Sequence, residues 1–301
     1  MTQEEAEKHV REFNEERRRI ANISDLLLWA QSIRVYWKLE TREELWFRGE
    51  EKRFGGDKKQ ACCGETWPQG NEHPLRTFLM PKIYRDLKHN PVLPDDIAQL
   101  LKDEDFLYQE FQRLGSKFVH ATYPDADWEW DSYFLMQAHG APTRLLDFTD
   151  GALIALHFAV RQTVGVAEED DGVVYVLNSY HINNLMDDER DVSTVKENWK
   201  EYAKKRASKA GSDAPEEDDW DRSYLPRPFG AEDIVGEEPP RPPERALALY
   251  FPHFTSRIGA QRSRLLVFGR DPWWLQNTLV SCIVIGITYG QEGFPCAVDL
   301  F

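Results

Sequence analysis

Residues Gln137 to Thr149 read Gln-Ala-His-Gly-Ala-Pro-Thr-Arg-Leu-Leu-Asp-Phe-Thr, and two residues later the chain enters Ala152 to Val160, where no Asp, Glu, Lys or Arg occurs. This juxtaposition restricts the fold more than any other feature. A helix that is apolar over most of its surface has to be covered on several sides. The segment before it carries opposite charges at Arg144 and Asp147 around Leu145-Leu146, and a charge among buried leucines has to find a partner inside the protein. Gly140 and Pro142 fix an unusual backbone there. The apolar helix is expected from about Gly151 to Gln162, with Thr149 or Asp150 capping its first amides.

The remainder of the chain supplies layers for that helix to pack on. Thr2-x-x-Glu5 has the spacing of a capping box and opens a charged stretch to Arg19, so residues 1–22 are expected as a charged helix or arm. Ile23, Leu26, Leu27, Ala30, Ile33 and Trp37 recur at helical spacing, as do Leu107, Phe111, Leu114 and Phe118. Leu45-Trp46-Phe47, Val173 to Leu177, Arg264 to Phe268 and Cys282 to Ile287 are short apolar, mainly β-branched or aromatic runs that predict strands. The expected class is α+β, a helical N-terminal part packed on a mixed or antiparallel β core spanning 23–301. Residues 51 to 78 read as a long loop. Between about 186 and 245 lie 17 acidic and 11 basic residues and the cluster Glu238-Pro-Pro-Arg-Pro-Pro-Glu, which predict a charged, partly disordered insertion. Within it Val192 to Lys209 could form a helix, and Trp199, Tyr202 and Trp220 are large enough to dock.

Charge and cysteine usage remove several function classes. With 37 basic and 52 acidic side chains the formal charge is −15, which disfavours nonspecific nucleic-acid binding through many phosphates. The longest apolar runs are about half of the ~20 residues a membrane helix needs, and the N-terminal sequence lacks an export signal, so an intracellular and cytoplasmic protein without membrane partners is expected. Cys62, Cys63, Cys282 and Cys296 form neither a CxxC pair nor a regular disulfide ladder, and no metal site is expected.

Four segments could carry chemistry. Around Arg144, one reading is a pocket wall in which Asp147 orients Arg144, His139 and Thr143 toward an anionic ligand; the other is an internal ion pair that fixes a loop. In Trp46-Phe-Arg-Gly-Glu50, Arg48 could present its fork to a phosphate while Gly49 lets the ligand approach the backbone, or Arg48 could pair with Glu50. Leu79 to Arg85 and Ser256 to Ser263 each place a cation beside small or rigid residues at the end of an element.

Together these segments resemble the FRG domain, a family named for an aromatic-Arg-Gly motif, here Phe47-Arg48-Gly49. The resemblance extends to Pro81-x-x-x-Arg85, to an acid in the next helix placed at Glu110, and to Pro142-Thr-Arg-Leu-Leu-Asp147 followed by the apolar helix. The family's Gln-His-Tyr-Gly stands here as Gln137-Ala138-His139-Gly140, and its Gln-x-Gly as Gln261-Arg262-Ser263. The aromatic-Arg-Gly strand end is in turn similar to the first motif of arginine-type mono-ADP-ribosyltransferases. That resemblance implies an ADP-ribosyltransferase-like fold and NAD as substrate, with ADP-ribose transferred to an unknown acceptor or released. Arg48, Gly49, Arg85, His139, Thr143 and Arg144 would then bind the nucleotide, and Glu110, Asp147 and Gln261 would serve catalysis, since Ser263 occupies the place of the transferases' glutamate. The alternative is a noncatalytic recognition module holding a nucleotide or an acidic peptide in an arginine-lined pocket.

Overall fold

The computed structural model describes residues 1–15, 22–41, 43–50, 79–84, 94–122, 128–161, 172–185, 190–210, 219–227, 239–250, 256–272, 274–277, 282–287 and 298–300. The expected loop at 51–78 and the Arg85 site therefore lie outside the described residues. In chain order the elements are α1 (Gln3–Glu15), α2 (Ile23–Tyr36), β1 (Leu45–Glu50), a 3-10 turn (Lys82–Tyr84), α3 (Pro94–Thr122), α4 (Trp128–Ala138), β2 (Leu145–Thr149), α5 (Ala152–Val160), β3 (Gly172–Asn178), α6 (Ser179–Asn184), α7 (Arg190–Ala210), a second 3-10 turn (Asp219–Tyr224), β4 (Leu247–Leu249), α8 (Ser256–Gln261), β5 (Ser263–Val267), α9 (Trp274–Asn277), β6 (Cys282–Ile287) and β7 (Val298–Leu300).

The strands form one seven-stranded sheet in the order β4-β5-β2-β1-β3-β6-β7, antiparallel at every neighbouring pair. The class is α+β, and the β core is antiparallel rather than mixed. Alternation along each strand sorts the side chains onto two faces. On one face Trp46, Leu146, Phe148, Tyr175, Leu177 and Leu266 meet the first 3-10 turn, the start of α3, α6 and α9. The opposite face is divided. Leu45, Phe47, Val174 and Val176 are covered by α2 and α5, whereas Leu145, Leu265, Val267 and Leu247 are covered by α3, α4 and the second 3-10 turn.

Helix α5 shows why the sequence dictates this arrangement. It sits so close to β1 that a Cβ added to Gly49 would lie 1.8 Å from the Ala155 carbonyl oxygen, and Ala155 and Ala159 present only methyl groups to the strand. Gly49 thus admits a helix, not the ligand expected from the motif. The cap of α5 is Gly151, without a side-chain hydrogen bond. Thr149 Oγ1 accepts from Gly151 N at 3.1 Å and donates to the Gln261 carbonyl at 2.8 Å, while Asp150 pairs with Arg262 and Arg264 of the β5 region at 2.5 and 2.8 Å. Both expected cap residues are committed to tying β2 to β5.

Two sequence expectations shift in register. In α2 the buried positions are Leu26, Trp29, Ser32 and Ile33, while Ile23 and Leu27 are exposed. In α3 the buried stripe is Ile97, Leu101, Glu104 and Tyr108, at intervals of four and three residues; Leu114 faces solvent. The N-terminal arm is a docked helix. Its capping box forms, Glu5 N donating to Thr2 Oγ1 at 3.2 Å and Thr2 N to Glu5 Oε2 at 2.7 Å, and Ala6 and Val10 are buried, with His9 Nδ1 2.7 Å from Ser32 Oγ of α2. The described parts of the charged insertion are also structured: α7 buries Val192, Val195, Trp199, Tyr202 and Ala207. Among the described residues no helix is long and apolar enough to cross a membrane.

Candidate functional site

Strands β1 and β2 share a single register pair, Phe47 opposite Thr149, and then part. Into this opening comes Arg48. Its Nη1 donates to the Asp147 carbonyl at 2.6 Å and its Nη2 pairs with Glu50, which alternation places on the same face of β1. The side chain is 14% exposed, and its Nε is buried without a hydrogen-bond partner among the described residues. A guanidinium has five donors arranged in a rigid fork. Here two arms are occupied, and the third donor faces neither water nor a described protein acceptor.

The Asp147 side chain emerges on the other face of the sheet and is exposed. A short relay fixes it. Thr143 Oγ1 accepts from Leu145 N at 3.2 Å and donates to Gln137 Oε1 at 2.5 Å, and Gln137 Nε2 donates to Asp147 Oδ2 at 2.7 Å. Gln137 lies in the last turn of α4, and Thr143 is wholly buried ahead of β2, so the carboxylate is positioned from two elements. Nearby, Lys82 Nζ donates to the Gly140 carbonyl at 2.8 Å, where φ is +83° and a glycine is required. His139 is exposed on this turn, beside the relay but outside it.

Arg144 lies elsewhere, and the expected pairing with Asp147 is corrected. Its side chain is 1% exposed. Arg144 Nε donates to Glu104 Oε2 at 2.5 Å, Nη1 to the Phe268 carbonyl at 2.9 Å and Nη2 to the Tyr224 carbonyl at 2.5 Å. The other oxygen of Glu104 accepts from Arg144 N at 2.9 Å and from Tyr133 Oη at 2.5 Å. Burial by itself would weaken the hold of Arg144 on its proton, but Glu104 and the surrounding tyrosines raise it above the ordinary arginine value. Burial, with Glu104 adding to it, pushes the Tyr133 hydroxyl well above the usual phenol range. The result is an enclosed ion pair that clamps α3, α4 and the ends of β2 and β5 together. Among the described residues Arg144 and Arg48 share no partner: Arg144 is enclosed with Glu104, whereas Arg48 is held by the Asp147 carbonyl and Glu50.

The other expected catalytic groups are dispersed too. Glu110 lies on the outer side of α3, bound to Arg113 at 2.6 Å, whose hydrogen bond keeps the carboxyl below its ordinary value. Gln261 contributes its carbonyl to Thr149 and precedes the left-handed Arg262, with φ 48°, that turns α8 into β5. Ser263 is buried opposite Thr149. The acid that reaches the arginine of the central motif is Glu104, and its place on the 97/101/104/108 stripe was the sequence signal for burial. Within Asp103-Glu104-Asp105 it reads as part of a solvated acidic run. Glu50 pairs with Arg48 as the alternative reading of that segment had it, whereas Gln137, although first in Gln137-Ala138-His139-Gly140, carried no sequence signal linking it to Asp147.

Residues 70–167 match the family model of the FRG domain. The match includes Glu104, Gln137, Thr143, Arg144, Asp147 and all of α5; Arg48 precedes it and Gln261 follows it. No curated protein and no solved structure matches the chain.

Proposed function

We propose, with the FRG domain at residues 70–167 as premise, that this chain binds NAD or a related nucleotide where β1 and β2 part, in an ADP-ribosyltransferase-like fold. The observation that carries the reading is the buried Arg48 Nε, which has no acceptor among the described residues although Nη1 is held by the Asp147 carbonyl. A nucleotide phosphate on the guanidinium takes the place of Glu50 and supplies that acceptor. The ligand is taken to pass between the parted strands, so that Asp147, held by Gln137 on the other face of the sheet, meets the nicotinamide ribose. The glycosidic bond breaks with its electron pair going to nicotinamide, negative charge on Asp147 stabilises the oxocarbenium-like centre, and an acceptor or water attacks that carbon and loses its proton. The acceptor is a partner still to be identified, and the protein works in the cytoplasm.

A second reading, the noncatalytic recognition module, is favoured by one specific observation: Glu110 and the Gln261 side chain are not assembled around Asp147. It keeps the same ligand at Arg48 and removes the bond cleavage.

Purified protein incubated with NAD distinguishes them. The enzymatic reading expects nicotinamide release together with an NAD-dependent rise in melting temperature, both lost in Arg48→Gln, with Asp147→Asn losing release and keeping the shift. A shift without release leaves the recognition module, and the absence of both refutes the NAD site.

A further inference from the structure

The charged insertion builds a pocket that the FRG motifs do not touch. Helix α7, the second 3-10 turn, the start of α4 and the segments at 225–227 and 239–241 enclose about 190 Å³. Its wall carries four guanidinium groups, Arg206, Arg222, Arg227 and Arg241, against one lining carboxylate, Glu129. In a chain of formal charge −15 such a concentration of cations runs against the mean composition.

The pairing pattern defines what is missing. Arg222 is bound to Glu129, and Asp219 stands 3.5 Å from Arg222 on the solvent side, outside the lining. Behind the wall, Asp105 accepts from Arg241 Nη1 at 3.0 Å and from Arg227 N at 2.8 Å, and Arg227 Nη2 donates to the Pro239 carbonyl at 3.0 Å. Arg206 makes no hydrogen bond or ion pair among the described residues. Among the described residues Glu129 pairs with Arg222 and Asp105 with Arg241, whereas Arg206 has no such partner. Burial, and behind it the nearby cations Arg227 and Arg144, pull Arg241 below its ordinary value despite Asp105. A phosphate monoester presents three strong acceptor oxygens with about −1.5 to −2 charge at neutral pH and is shared by several guanidinium forks at once, whereas a carboxylate offers two oxygens.

The rest of the wall is flat and stiff. Trp199 and Tyr202 sit side by side, ring centroids 5.6 Å apart, and Tyr108 is fixed by its hydroxyl on the Glu129 carbonyl at 2.8 Å. Pro226, Pro239 and Pro240 restrict the backbone around the opening. A cavity of roughly 150 Å³ accepts a benzene ring, so about 190 Å³ accommodates one ring with its substituent.

We propose that this pocket binds a small phosphate ester bearing one planar ring, its phosphate on Arg206, Arg227 and Arg241 and its ring against Trp199 and Tyr202. The occupant is a small molecule because the space takes little more than the ring and the phosphate.

Titration calorimetry of the full chain with phenyl phosphate, inorganic phosphate and phenol tests this. Phenyl phosphate binds, inorganic phosphate binds more weakly, phenol does not bind, and added salt weakens the phosphate-bearing probes. Arg206→Gln, which breaks no ion pair among the described residues and so retains the melting temperature, lowers phenyl phosphate affinity about tenfold or more, the loss of one charge-assisted contact. Arg206→Lys restores part of it. Absence of phenyl phosphate binding, or an affinity unchanged in Arg206→Gln, overturns the assignment. Binding of a phosphotyrosyl peptide by a protein that ignores phenyl phosphate overturns it as well, in favour of a protein partner.

Discussion

Replacing Glu104 by Gln tests whether Arg144 is a structural cation. The substitution keeps the size of the side chain and one carbonyl oxygen, which still accepts from Arg144 N and Tyr133 Oη. In place of the oxygen 2.5 Å from Arg144 Nε it puts an amide N–H facing another donor. The guanidinium, 1% exposed, is then buried without a counterion. Breaking a buried pair by removing one partner costs about 3–5 kcal/mol. For a chain of this size that lowers the melting temperature by roughly 10 °C. Urea unfolding followed by tryptophan fluorescence and circular dichroism measures the cost. The double variant Glu104→Gln/Arg144→Met recovers part of it, with a coupling of about 2–3 kcal/mol in the cycle completed by Arg144→Met alone. Recovery is incomplete because the Phe268 and Tyr224 carbonyls lose their donor. Glu110→Gln, on the exposed side of the same helix, leaves the unfolding midpoint unchanged. The reasoning fails if Glu104→Gln costs less than about 1 kcal/mol, or if the cycle is additive. It fails equally if the folded double variant loses NAD binding that the parent protein shows.

Gly49→Ala inserts a methyl group 1.8 Å from the Ala155 carbonyl oxygen, forces α5 off β1 and costs about 3 kcal/mol by chemical denaturation; wild-type stability would contradict the packing role. Alkali is expected to destabilise the fold. The hydroxyls of Tyr84, Tyr133 and Tyr224 are raised chiefly by burial, so each keeps its proton in the folded state after the unfolded chain, with ordinary tyrosines near pH ~10, has begun to release it. The stabilising contribution is therefore complete below that pH and lost as the pH rises toward the folded values. Melting temperatures from pH 8 upward, with phenolate absorbance recorded in parallel, check the sign; a flat profile beyond pH ~10 contradicts it.

The elements that local chemistry controls were legible in the sequence. The box Thr2-x-x-Glu5 closes because both partners lie within one turn, β6 occupies the Cys282 to Ile287 run, and the apolar Ala152 to Val160 segment is a helix pressed onto a sheet. Arg144 as a buried paired charge was legible too, since leucines on its C-terminal side leave such a group no access to water. Its partner was not. Asp147 is nearer in sequence, but its carboxylate lies exposed on β2 and is held by Gln137, whereas Glu104 arrives from a helix forty positions earlier. Helical stripes showed the same division: periodicity located α2 and α3, yet which apolar row faces inward depended on the sheet and helices they meet. The charged composition at 186–245 concealed a pocket for a related reason. Composition averages a segment, while a helix sorts it, turning Trp199, Tyr202 and Arg206 toward the protein and Glu197, Glu201 and Lys204 toward solvent. Local propensity and pattern determined which elements form; long-range packing decided which charges meet.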